Sequence, residues 1–113
     1  VFSFMAHAYE DNLAGLLAAL RQDTGTAELP FVLGRVSPRM VNLSSLRHQH
    51  AYRTIVRDAQ VYVTVQDPYA GWVDTDDLPT GDNLHYTTPG QLLLGRRLAA
   101  VWLALRSQAG GQP

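Results

Sequence analysis

Residues 29–36, Leu-Pro-Phe-Val-Leu-Gly-Arg-Val, form a short, nearly unbroken apolar run with proline near its start. A run of that length and composition reads as a strand buried on both faces, as in parallel sheets. It constrains the chain more than any other stretch, because such a sheet needs both faces covered. The preceding segment supplies a cover. Residues 9–23 carry Leu13, Leu16, Leu17 and Leu20 at helical spacing, with Glu10, Asp11 and Arg21 as polar punctuation. Acidic residues in the expected first turn and an arginine near the end suit the helix dipole, and Gly25 is a fitting stop. The leucine stripe reads as core packing. Residues 1–5 are apolar and short, either the end of a buried strand or a segment with little order. The chain opens on Val1 with too little apolar length for a signal peptide, so its start reads as a cut or processed end.

The bounds are narrow. At 113 residues, one domain at most is expected. Apolar residues make up 46%, ordinary for a globular chain. Nine basic against ten acidic side chains leave a formal charge of −1, which gives no electrostatic case for nucleic acid or an anionic membrane. There is no cysteine, which excludes disulfides and thiolate metal sites. No apolar run reaches the length of a membrane span. No internal repeat is visible.

Beyond the first strand, residues 37–45 read as a connection with Pro38 and Asn42 as turn residues. Loops after parallel strands commonly rim the ligand cleft, so Arg39 or Asn42 would stand near a substrate there; otherwise they are plain surface residues. Residues 46–66 are ambiguous: Tyr52, Ile55, Val56, Ala59, Tyr62 and Val63 follow helical spacing, whereas Val61, Val63 and Val65 alternate like a strand. His48 and His50, two apart, would face different sides of a helix and share no metal. Residues 67–71 contain Pro68 and Gly71 in breaking positions, and residues 72–75 read as a second short strand. Residues 88–107 form an amphipathic helix with Thr88 as N-cap, Pro89 in the first position and Gln91 as the capping-box amide. Residues 108–113 read as a loose tail.

Between the second strand and the last helix lies the stretch with the most chemistry. Asp74, Asp76 and Asp77 fail the EF-hand template, since its glycine and glutamate places, counted from Asp74, hold Pro79 and His85. Asp82 and His85 stand three apart in a loop. A carboxylate that close can accept a hydrogen bond from one imidazole nitrogen, fix the tautomer and leave the other nitrogen free as a base. The blander reading is a solvated turn, since loops are polar and exposed as a rule.

The extended run sharpens this choice. The pattern D-x-x-H-[YF]-T-x-x-G-[QY]-x-x-L-G-x-R-x-A is carried by Asp82, His85, Thr87, Gly90, Leu94, Gly95, Arg97 and Ala99. It resembles the closing block of SGNH/GDSL-type hydrolases. The similarity is greatest to the sialate O-acetylesterase-like (SASA) branch, which includes acetylxylan esterases of carbohydrate esterase family six. Tyr9 to Leu13, Leu29 to Gly34 and Val56 to Gln60 fit that branch's Y-E-x-N-L, L-P-F-V-x-G and V-R-x-A-Q patterns, so the resemblance spans most of the chain. It also implies that residues 46–66 are a helix.

The element order is then α-β-α-β-α, an α/β architecture with a parallel sheet. Two or three strands make a narrow sheet, and the chain resembles the C-terminal half of a flavodoxin-like three-layer αβα sandwich. The family resemblance implies acyl transfer, with His85 as general base and Asp82 as its orienting carboxylate. It also implies a serine in a G-Q-S-N-type block and oxyanion donors from a Q-G-E-type block, and neither motif occurs here. Ser3, Ser37, Ser44, Ser45 and Ser107 sit in no comparable context. The expectation is a fragment or subunit of a carbohydrate O-acetylesterase, acting on an acetylated carbohydrate when completed by the missing half. It would associate with itself or with another chain and needs no cofactor and no metal. The alternatives are a non-catalytic remnant that binds a glycan or a protein, and an unrelated interaction domain.

Overall fold

The computed structural model describes residues 2–39 and 46–109, with side chains described for residues 4–39 and 52–108. Its elements are α1 (Phe2–Thr24), β1 (Phe31–Gly34), α2 (Leu46–Gln66), β2 (Ala70–Val73) and α3 (Thr88–Ala109). β1 and β2 pair in parallel, with Phe31 opposite Ala70 and Gly34 opposite Val73. The mixed α/β architecture and the parallel pairing agree with the sequence reading. α2 is the crossover that parallel strands require.

Side chains alternate across the two strands. Phe31, Leu33 and Ala70 join Tyr9, Leu13 and Leu17 of α1 and Val63 of α2 in the main apolar cluster. The opposite side belongs to α3. A Cβ placed on Gly34 would lie 3.3 Å from Leu94 Cδ1, and one on Gly71 only 2.6 Å from Val101 Cγ1. Gly71 therefore does not break a strand, as the sequence suggested; it thins β2 so that α3 can lie close.

Several boundaries move. The apolar start is helical, because Ala6 extends the buried stripe of Leu13 and Leu17 one further step toward the N-terminus. Glu10 and Asp11 thus sit mid-helix, and the first turn of α1 holds no acidic residue. Leu16 and Leu20 remain exposed, because α1 packs chiefly on α2 and covers only one of its own faces. The C-terminal end is as expected. Gly25 takes φ +64°, with Gly25 N–H donating to Gln22 O at 3.2 Å and Thr26 N–H to Arg21 O at 3.0 Å. These two bonds form the Schellman pattern that closes a helix.

β2 begins two residues earlier than predicted. The Asp67 carboxylate accepts the Tyr69 N–H at 2.8 Å and its carbonyl accepts the Ala70 N–H at 3.2 Å, so the turn is complete before Ala70. Asp67 is held in turn by Arg21 through both carboxylate oxygens, which ties the end of α1 to the end of α2. α2 remains helical through Gln66 and resolves the ambiguous segment: Val63 is buried, Val65 exposed, and the Thr64 hydroxyl donates to Gln60 O at 2.9 Å. α3 continues through Ala109, two residues into the predicted tail; residues 110–113 lie outside the described part.

Candidate active site

The loop leaving the C-terminal end of β2 is built on arginine–aspartate pairs. The Asp74 carboxylate accepts the Asp76 N–H at 2.9 Å, which turns the chain out of the strand. The Thr75 hydroxyl donates to the Arg35 carbonyl and anchors the loop to the end of β1. Arg57 of α2 grips Asp76 with both terminal nitrogens at 2.9 and 2.8 Å, and Arg35 adds a third bond at 3.1 Å. Arg97 of α3 holds Asp77 in the same forked manner at 2.6 and 2.7 Å. Leu78 then inserts into the interior with no exposed surface. No group of three or more metal-ligating side chains occurs among the described residues. The aspartates are acceptors for fixed guanidinium groups, a role that sequence reasoning missed because their partners lie 19 to 41 residues away.

Beyond Leu78 the loop folds back on itself. Thr80 and Tyr86 form an antiparallel bridge, Gly81 N–H donates to His85 O at 3.2 Å, and Thr87 N–H donates to Pro79 O at 3.0 Å. The turn between these arms carries Asp82 and His85. One Asp82 oxygen accepts the Leu84 N–H at 2.9 Å and the His85 N–H at 2.6 Å. The other faces His85 Nδ1 at 2.7 Å. Asn83 takes φ +62°, a left-handed conformation that asparagine tolerates better than most residues. The predicted juxtaposition of the two side chains is therefore present, at the distance expected for a hydrogen bond.

The electrostatics fix the direction of that bond. The His85 N–H, the imidazole and the Leu84 N–H together hold the Asp82 carboxyl well below the usual carboxylate range. Asp82 is thus ionised at neutral pH and can only accept. Nδ1 must carry the proton, and in the neutral ring Nε2 then has a free lone pair. The side chain of His85 is 76% exposed, so Nε2 is open to solvent.

The start of α3 positions this turn. The Thr87 hydroxyl accepts the Gly90 N–H at 3.3 Å, so the N-cap is Thr87, one residue before the predicted Thr88. The Gln91 amide reaches the Tyr86 carbonyl at 3.3 Å instead of closing a capping box. Gly90 is buried, and a Cβ there would stand 2.8 Å from the Pro79 carbonyl oxygen that pairs with Thr87. Glycine at this position lets the helix start lie against the arm that carries His85.

Of the other candidates, Arg39 is exposed and donates to the Leu78 carbonyl at 3.3 Å, which places it against the same loop. Ser37 is buried, and its hydroxyl accepts the Arg39 N–H at 3.1 Å. Asn42, Ser44 and Ser45 lie outside the described residues, as do the side chains of Ser3, His48 and His50. A cavity of about 500 Å³ lies between α1, α2 and the turn before β2. That is the N-terminal end of the strands, opposite to His85.

The ion pairs make stability depend on acid. Arg57, with Arg35 behind it, holds the Asp76 carboxyl below its ordinary value, and Arg97 brings Asp77 to about 2. At Asp67 burial pushes the carboxyl up, but Arg21 and the Tyr69 N–H outweigh it. A carboxyl with a depressed folded pKa stabilises the fold above its unfolded pKa and loses that contribution as pH falls through the folded one. The urea midpoint should therefore drop between about pH 4 and about pH 2. Asp77→Asn should remove part of that drop, which midpoints measured across this range would show.

The model of the family described as carbohydrate esterase, sialic acid-specific acetylesterase matches residues 3–104. Comparisons with curated proteins and with solved structures gave no significant match.

Proposed function

Because this chain belongs to the carbohydrate esterase, sialic acid-specific acetylesterase family, we propose that it carries the general-base half of a serine O-acetylesterase acting on acetylated sugars. The observation that carries this reading is the Asp82–His85 pair, with 2.7 Å between carboxylate oxygen and Nδ1. His85 Nε2 takes the proton of a serine hydroxyl as that hydroxyl attacks the acetyl carbonyl. It returns the proton to the departing sugar oxygen and then activates the water that releases acetate. Asp82 holds the ring in the useful tautomer and stabilises the imidazolium formed on the way.

The nucleophile and most of the oxyanion donors belong to a segment beyond these 113 residues or to another chain. That assignment rests on the serines present, none of which has the G-Q-S-N context. A completing half would add strands beside the two-stranded sheet and make a flavodoxin-like three-layer sandwich. It would also cover apolar side chains such as Phe4, Met5, Leu16, Leu92 and Leu103, which are exposed in the described chain. Without it, the exposed apolar surface favours self-association.

The experiment is complementation. The purified chain alone should not turn over an acetylated sugar or an aryl acetate, because an oriented base accelerates only a positioned nucleophile. Mixing or fusing it with a family segment that carries the serine block should produce acetate release sensitive to serine-directed inhibitors. Binding of the two halves without turnover would instead favour a non-catalytic module.

A further inference from the structure

We propose that the outer edge of β1 is an interaction surface whose occupant, when this chain is alone, is β1 of a second copy, paired antiparallel about a two-fold axis. This surface is separate from the esterase site and uses no residue of the Asp82–His85 turn. The backbone hydrogen bonds distinguish the two edges of the sheet. Phe31 N–H donates to Tyr69 O at 2.9 Å and Arg35 N–H to Val73 O at 3.1 Å, so residues 31, 33 and 35 turn their backbone groups toward β2. The residues between them turn the other way. Val32 and Gly34 therefore present N–H and C=O on the far side of β1, where no described residue bonds them. On β2 the outward residues are Ala70, Trp72 and Asp74. Ala70 N–H is taken by Asp67 O at 3.2 Å and Asp74 O by Arg97 at 2.9 Å, which leaves Trp72 alone between two closed ends. β2 is finished as an edge, with charge at its end, and β1 is not.

The open edge also has apolar surface beside it. α2 packs over β2, so the side of α1 turned away from α2 lies beyond β1. On α1, Glu10, Asp11, Ala14 and Arg21 line the cavity shared with α2, and Ala6, Leu13 and Leu17 form the buried stripe next to them. At 3.6 residues per turn, Met5, Leu16 and Leu20 follow on the far side of that stripe, and all three are exposed. A second copy fits this edge by symmetry. A two-fold axis at Leu33, perpendicular to the sheet, brings Val32 of one copy opposite Gly34 of the other, and each such pair exchanges both backbone bonds. The same axis keeps α1 of both copies on one face and turns their apolar flanks toward each other. Phe31 to Gly34 carries no charge, Arg35 is already paired with Asp74 and Asp76, and the net charge is −1, so no like-charge repulsion opposes the pairing. The strand edge alone falls short of the roughly 800 Å² per partner of a stable interface, and the α1 flank adds to it.

The test is sedimentation velocity of this chain from micromolar to millimolar concentration, with amide hydrogen exchange followed by NMR. A reversible dimer should form. The Val32 and Gly34 amides should slow as it forms and recover on dilution, while the Trp72 amide stays fast throughout. Val32→Pro removes an outward N–H and leaves the Phe31 and Arg35 bonds to β2 in place. It should weaken the dimer roughly tenfold or more, because one bond is lost in each copy. Leu16→Glu, which sets like charges across the axis, should weaken it by about the same factor or more. A monomer at every concentration, slowed exchange at Trp72 instead of Val32, or unchanged affinity in Val32→Pro would overturn the assignment. A chain that is monomeric by itself and protects Val32 only when mixed with the serine-bearing segment would overturn it in favour of that segment as occupant. The exchange comparison needs no variant, so a poorly folded substitution does not protect the idea. Neither readout involves His85, so the esterase reading is tested separately.

Discussion

Replacing His85 by alanine in the complemented esterase should lower turnover by roughly 10⁴-fold, the upper range for loss of a general base. Asp82→Asn should come close to it. The asparagine oxygen can still accept the Leu84 and His85 N–H groups, so the turn keeps its shape. Its amide nitrogen, however, would face Nδ1 as a donor. Nδ1 must then accept, the ring proton moves to Nε2, and the base is lost with the geometry intact. Both side chains are largely exposed, at 76% and 55%, so neither substitution should move the urea midpoint appreciably. Steady-state turnover beside urea melts of the same proteins separates the two effects. A His85→Ala enzyme within about tenfold of wild type would assign the base elsewhere.

Asp76→Ala should have the largest effect on stability, about 2–3 kcal/mol. Removing one partner of a buried ion pair costs about 3–5 kcal/mol, because the other charge is left desolvated. Asp76 keeps 36% of its exposure, which reduces that figure, whereas Arg57 and Arg35 retain only 14% and 19%. Arg35 is further confined by the Trp72 ring, 4.6 Å from its guanidinium carbon, and its buried Nε–H has no partner among the described residues. Neither arginine can easily turn to water. Adding Arg57→Met should recover part of the loss, since an apolar side chain in place of the stranded charge removes its desolvation penalty. A single-mutant cost below about 0.5 kcal/mol at neutral pH would mean that the cluster is screened like a surface pair.

The parts legible in the sequence are those whose cause is local. The run from Leu29 to Val36 contains its strand, β1, because a short apolar segment behind a proline has few other ways to be buried. The Schellman end at Gly25 follows from the one residue there that takes a positive φ without penalty. Asp82 and His85 meet because three residues of turn bring them together, whatever surrounds the loop. α2 was ambiguous by pattern alone, since Tyr52, Ile55, Val56, Ala59, Tyr62 and Val63 follow the helical period whereas Val61, Val63 and Val65 follow that of a strand. Burial on the face toward α1 decided for helix, consistent with the family resemblance.

Tertiary structure decided whatever depends on a distant partner. Gly71 reads as a breaker until Val101 of α3 is seen against it. Leu16 and Leu20 read as core, and only the one-sided packing of α1 leaves them out. Asp74, Asp76 and Asp77 read as solvated turn residues or a failed ion site. Only the crossover by α2 and the return of α3 bring Arg57 and Arg97 to them. The exposure of Nε2 belongs to the same class. The sequence determines the Asp82–His85 contact through covalent proximity, whereas the surroundings of the free nitrogen depend on which surfaces pack above the strand ends.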